Sequence, residues 1–213
     1  SGDWSSDVCS SDLKGLDIHT ATAAKIFEVG EEQVDREMRS KAKAVNFGII
    51  YGQSAFGLSE NLGISRGEAK EIIDSYFSQY PRIRAFMDES IDKAKELGYV
   101  ETFLGRRRIL KDINSANAIV RGHAERNAIN APIQGTAADI IKISMINIHQ
   151  KLKELNSNAK MILQVHDELV FDVPKDEVAA IGEMVKFEME NAVNIGVPLT
   201  VEVDTGSNWL AAH

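Results

Sequence analysis

A single cysteine, Cys9, is present among 213 residues, together with only four prolines and two tryptophans. One thiol cannot close a disulfide within the chain and cannot build a cysteine zinc cluster, which fits a cytoplasmic protein. No apolar run approaches the roughly 18 residues a membrane span needs, so no membrane is expected among the partners. The N-terminus also lacks the basic region and apolar core of a signal peptide. Nor is there an excess of positive charge: 24 Lys and Arg against 32 Asp and Glu leave a formal net charge of -8. That balance argues against an indiscriminate nucleic-acid binder. What is present, 44% hydrophobic and 26% charged residues, is ordinary for a soluble globular protein. The length suffices for one large domain or two small ones, each with its own core.

The first stretch differs from everything after it. Residues Ser1–Leu13 are rich in Ser and Asp and aperiodic, and Asp3–Leu13 resembles a translated sequencing adapter. We read 1–13 as a non-native or disordered leader and set it aside from fold reasoning. Cys9, Asp3, Asp7 and Asp12 leave with it, so the remainder has no thiol and is less acidic. Its basic residues cluster as Arg36, Arg39, Lys41 and Lys43, as Arg106–Arg108 with Lys111, and as Arg121, His123 and Arg126. Such clusters are solvated helix faces or the lining of a local phosphate groove.

Periodicity predicts a short helix over 17–29 and a long one from about Glu31 to Gly52. Ser65-Arg66-Gly67-Glu68 has the form of a capping box opening a helix that stops before Pro81. A further amphipathic helix runs from Ile83 to Leu97, followed by a small β element at 99–110. A helical pattern at 116–155 is expected to break or kink at Pro132. Two strands then flank His166-Asp167-Glu168, a helix covers 176–194, and LTVEV at 199–203 reads as a strand. Strands grouped with helices, without βαβ alternation, predict an α+β fold with an antiparallel sheet. The expected division is a mostly helical region at 14–115 and an α+β region at 116–213.

Arg39, Lys43, Phe47 and Tyr51 recur every four residues. Four residues advance about 400° on an α-helix, so these side chains form one slowly drifting stripe. It passes from two cations, suited to a polyphosphate, to two aromatics, suited to stacking on a sugar or base. The alternative from spacing alone is a core helix with snorkelling basic residues. The second feature is QVHDELVF (Gln164–Phe171), where an imidazole and two carboxylates sit between apolar β-type runs. On local grounds this is either a polar hairpin tip or the end of a metal site.

RSKAKAVNFGIIYG (Arg39–Gly52) resembles the nucleotide-binding helix of family A DNA polymerases. The segments DIHTATA (Asp17–Ala23), YGQSAFGLS (Tyr51–Ser59), GRRR (Gly105–Arg108), ERNAINAPIQGTAADIIK (Glu125–Lys142), QVHDELVF and GSNW (Gly206–Trp209) follow in that family's order. The resemblance covers essentially 14–213 and implies a helical fingers region at 14–115 and most of a palm at 116–213. It implies DNA-templated addition of dNTPs to a primer 3′ end by a two-metal mechanism. His19, Arg39, Lys43, Phe47 and Tyr51 would bind the nucleotide, and Lys43 would also protonate the pyrophosphate leaving group. Arg126, Asn130, Gln134 and His166 would contact primer-template DNA. Asp167, with Glu168 as a weaker neighbour, would be the magnesium-binding, catalytic carboxylate. The family's second metal-binding aspartate is expected in the N-terminal part of the same polymerase, upstream of Asp17, which leaves this chain with half of the site and inactive alone. A nucleotide- or DNA-binding module without turnover, and a related single-subunit ribonucleotide polymerase, remain as alternatives.

Overall fold

The computed structural model describes residues 17–212, so the expected leader and its Cys9 lie outside the described residues. The chain divides into two compact units, 1–132 and 133–213. The fold class is α+β, mostly helical with small antiparallel sheets.

In the first unit, α1 (Ile18–Phe27) begins where the Asp17 carboxylate caps the His19 N–H at 3.0 Å. The expected long helix does not start at Glu31. Glu31–Gln33 makes one 3₁₀ turn, Val34 is extended, and α2 (Arg36–Ile50) begins after Asp35, whose side chain accepts from Met38 N at 2.8 Å. An N-cap needs an extended backbone, and Asp takes up a helix-end N–H there, so Asp35 resets the helix. Helices α3 (Ala55–Leu62), α4 (Arg66–Gln79) and α5 (Pro81–Leu97) follow. Helix α4 opens with the predicted capping box: Glu68 N donates to Ser65 Oγ at 3.2 Å, and Ser65 N to Glu68 Oε2 at 2.9 Å. Tyr99–Glu101 (β1) and Arg107–Ile109 (β2) pair antiparallel, as expected for the element at 99–110.

Two apolar clusters hold this unit together. Val45, Ile49, Leu58, Ala69, Tyr76 and Tyr80 are buried among α2, α3 and α4. Ala94, Val100, Leu110, Ile113, Ala124 and Ala128 form the second, closing α5 and the β hairpin onto the start of α6 (Ala118–Glu154). Helix α6 is not broken at Pro132. A proline inside a helix removes one ladder hydrogen bond and crowds the preceding turn. Here that weak point coincides with the division between the two units.

In the second unit, β3 (Lys160–Val165) and β4 (Glu168–Asp172) form an antiparallel hairpin, with an irregularity between Met161 and Leu163. Its core side packs Ile148, Leu152, Ala159, Ile181 and Val185, the last two from α7 (Val178–Glu190). The expected strand at 199–203 is not one. Among the described residues no strand pairs with it, and Val201 N instead donates to Glu190 Oε1 at 3.0 Å. β-propensity describes fit to a pleated surface, and without a neighbouring ladder that preference has nothing to act on. The short α8 (Trp209–Ala212) ends the described chain.

Candidate functional site

Helix α2 has two opposed faces. Ala42, Val45, Asn46 and Ile49 are buried, while Arg39, Lys43, Phe47 and Tyr51 are all exposed. Phe47 and Tyr51 are each 48% exposed, and their rings lie nearly parallel, 11° apart with centroids at 6.3 Å. A core helix with snorkelling lysines would bury its aromatics; this one buries the opposite side. Two stacked rings held at a water-facing surface form a flat apolar platform of the kind that stacks on bases. Among the described residues Lys43 has no ion pair or hydrogen bond. Its neighbour Lys41 is paired with Glu37 at 2.7 Å.

The cationic end of the stripe is tied to α1. Asp17, the cap of that helix, accepts from His19 N at 3.0 Å, from Thr20 Oγ1 at 2.8 Å, and from Arg39 Nε in a close ion pair. The Arg39 guanidinium above all, with the Thr20 hydroxyl and the His19 N–H, holds the Asp17 carboxyl well below the usual carboxylate range, against the opposing effect of burial. His19 lies over the same face, its ring 5.8 Å from that of Phe47. Beneath it, Asn46 Nδ2 meets both His19 Nδ1 and Thr22 Oγ1 at 3.1 Å, joining α1 to α2 through the buried side. His19, Arg39, Lys43, Phe47 and Tyr51 therefore share one surface.

At its aromatic end the stripe borders an open cleft of about 520 Å³, lined by Ala44, Phe47, Tyr51, Gln53, Asn61 and Arg126 among others. Two glycines shape it. Gly52 has φ +71, which favours glycine, and a Cβ there would lie 2.9 Å from Arg126 Cγ. A Cβ on Gly48 would lie 2.3 Å from Gln53 Oε1, so the Gln53 side chain occupies the space that residue 48 leaves. Arg126 is steadied by His123, its Nη2 standing 2.7 Å from His123 Nδ1. Asn130, one turn further along α6, is half-buried in the same unit.

Sequence reasoning missed Asp17, Asn46 and Gln53. Asp17 was legible as a cap but not as the partner of Arg39. Asn46 could have been found as the one amide on the buried stripe of α2. Gln53 carries no local signal, because its place depends on the missing side chain at Gly48. Several residues of the basic clusters have structural partners: Arg107 bonds Glu101 across the β1–β2 pair at 2.7 Å, and Arg121 Nη1 donates to Ser115 O at 2.8 Å.

Gln134, His166, Asp167 and Glu168 belong to the second unit. Val165 pairs with Glu168, so His166 and Asp167 form a two-residue hairpin tip, both exposed. His166 has φ +53, a left-handed value that costs a non-glycine residue on the order of 1–3 kcal/mol and is concentrated at functional positions. Gln164 Nε2 donates to His166 O at 3.2 Å and braces the tip. Among the described residues no group of three or more His, Cys, Asp or Glu could hold a metal ion. Magnesium is commonly bound by one or two carboxylates completed by waters and substrate phosphates, and Asp167 and Glu168 are the adjacent carboxylates at this tip. No helix among the described residues is long and apolar enough to cross a membrane.

Comparison with known proteins extends these observations. Residues 8–211 match the family described as DNA polymerase family A. The chain is 53% identical over 194 residues to DNA polymerase I of Caldicellulosiruptor bescii, covering 91% of this chain and 23% of that protein. It is 51% identical over 199 residues to DNA polymerase I of Geobacillus stearothermophilus, covering 93% and 23%. Among solved structures, the POL domain of Pol1 from M. smegmatis, in complex with DNA primer-template and dNTP, superposes with a TM-score of 0.92 at 42% identity. That match covers 96% of this chain and 36% of the other. The chain thus spans about a quarter of the length of these curated relatives.

Proposed function

Since the chain belongs to DNA polymerase family A, we propose that it carries the nucleotide-binding face and part of the primer-end surface of an enzyme of DNA-templated DNA synthesis. The observation that carries this reading is the exposed stripe on α2, with two cations followed by two parallel aromatic rings. Arg39, Lys43 and His19 hold the triphosphate of an incoming dNTP. Phe47 packs on its sugar and base, and Tyr51 borders the nascent pair. Lys43 stands as the proton donor for the departing pyrophosphate, a role that suits an ammonium with no competing ion pair among the described residues. Arg126, Asn130, Gln134 and His166 contact primer-template DNA in the minor groove, where the acceptor pattern is nearly the same for every pair and contacts test shape more than sequence.

Polymerases of this kind use two divalent cations that activate the primer hydroxyl and steady the triphosphate. In this proposal Asp167 is one magnesium carboxylate and Glu168 its weaker neighbour, the rest of the cage coming from the N-terminal part of the polymerase. The domain reading, fingers at 14–115 and palm at 116–213, belongs to the same proposal, as does a cytoplasmic setting. Alanine at Arg39 or Lys43 tests the reading by equilibrium binding of a dNTP. Loss of one charge-assisted contact weakens affinity by about tenfold to a hundredfold; unchanged affinity at both positions refutes the nucleotide face.

A second reading, binding without turnover by this chain, is favoured by a hairpin tip where Asp167 and Glu168 belong, among the described residues, to no group of three or more His, Cys, Asp or Glu that could hold a metal ion. A primer-extension assay separates the two. Magnesium-dependent extension by the 213-residue chain removes the second reading, and tight dNTP binding without extension supports it.

A further inference from the structure

We propose that Asp17 is a positioning residue for nucleotide binding, acting through Arg39. The inference rests on reading α2 as the triphosphate-binding face. Asp17 engages only the Nε edge of the guanidinium. Among the described residues the Nη1 and Nη2 atoms meet no acceptor, so the end of the fork that can clasp two phosphate oxygens is left for a ligand. The carboxylate has further partners of its own. It is held by the His19 N–H at 3.0 Å and the Thr20 hydroxyl at 2.8 Å, in the fixed role of capping α1. A cap on one helix thereby sets the rotamer of a cation 22 residues later on another.

Two opposed effects follow. An arginine already pinned has lost the rotamer freedom it would otherwise lose on binding, which favours the ligand. The Asp17 charge also repels the phosphates. At this exposed pair, with side chains 47% and 39% accessible, water and salt screen the repulsion strongly, and Arg39 itself stands between the charges. Ordering wins, and removing Asp17 weakens triphosphate binding.

The test uses the full chain, magnesium dATP and, separately, deoxyadenosine, titrated by calorimetry. Asp17→Ser keeps a good N-cap but is too short to reach Arg39, and the circular-dichroism melting curve checks that the fold is kept. Asp17→Asn retains the reach without the charge and falls between wild type and Asp17→Ser. The expected Kd for dATP rises about three- to tenfold in Asp17→Ser. The increase disappears in an Arg39→Ala background and is absent for deoxyadenosine, two readouts that a merely structural role would not produce. Unchanged or tighter dATP binding in Asp17→Ser, or equal weakening in the Arg39→Ala background, overturns the inference alone. Wild-type binding of dATP that is no tighter than that of deoxyadenosine, and indifferent to Arg39→Ala, overturns the nucleotide face and the inference with it.

Discussion

Replacing Gly52 with alanine separates a backbone cost from a packing cost, because the chain contains its own control. Gly52 has φ +71 and Gly63 has φ +65, so both hold a conformation that opposes a Cβ. They differ in surroundings: a Cβ at Gly63 meets nothing within 4 Å, whereas one at Gly52 lies 2.9 Å from Arg126 Cγ. The left-handed backbone costs alanine about 1–2 kcal/mol at either position, partly offset by the smaller freedom of the unfolded alanine chain. Gly63→Ala is therefore expected to lose about 1 kcal/mol. At Gly52 the atom in the way is near the base of the Arg126 side chain rather than its mobile end, so the whole side chain must shift. Overpacking of this kind adds about 1–3 kcal/mol, for a total near 2–4 kcal/mol.

The shift also moves the Arg126 guanidinium away from His123 Nδ1 and out of its place in the cleft. Urea denaturation of the two variants measures the difference directly. In the Gly52→Ala background, Arg126→Ala should restore part of the loss, as expected of residues in contact. Equal losses at 52 and 63, or no coupling to Arg126, would refute the close approach as the reason for glycine at 52.

Other outcomes follow from the same structure. Leu58→Ala, at a side chain 1% exposed in the first core, should cost about 3–5 kcal/mol in chemical denaturation. Phe47→Ala removes half of the exposed ring pair and should weaken dNTP affinity by about fivefold to a hundredfold, read by calorimetry, while leaving the melting temperature nearly unchanged because the ring is half in water. The Ser65 hydroxyl and backbone N–H lower the Glu68 pKa from its ordinary 4.5. A depressed carboxylate contributes stability that is present above 4.5 and lost as pH falls through the folded value. Ser65→Ala should flatten this acid-side loss in thermal melts at pH 3–6; an unchanged slope would discount the capping box as its origin.

Much of the local architecture was legible in the chain. The Ser65–Glu68 box, the stop before Pro81 and the hairpin around His166-Asp167 each depend on residues within a few positions of one another, and local chemistry decides such features. The four-residue rhythm of Arg39, Lys43, Phe47 and Tyr51 likewise puts them on one helix face from the sequence alone. Local reasoning failed where a competing partner mattered. Asp35 outbid the helical pattern that runs back to Glu31, and residues 199–203 had strand character but no strand beside them.

The sequence by itself determined most of the local elements, the family and the composition of the exposed stripe on α2. Whether that face looks to water or to the core was left open, since a helical period is the same in either direction. Tertiary structure decided it by burying Ala42, Val45, Asn46 and Ile49 on the opposite side. It also supplied the pairings that join distant positions: Asp17 with Arg39, Gln53 in the space at Gly48, and Gly52 against Arg126. Each is a contact between residues on different elements. Such contacts exist only once the helices are packed, and no pattern of neighbours along the chain encodes them.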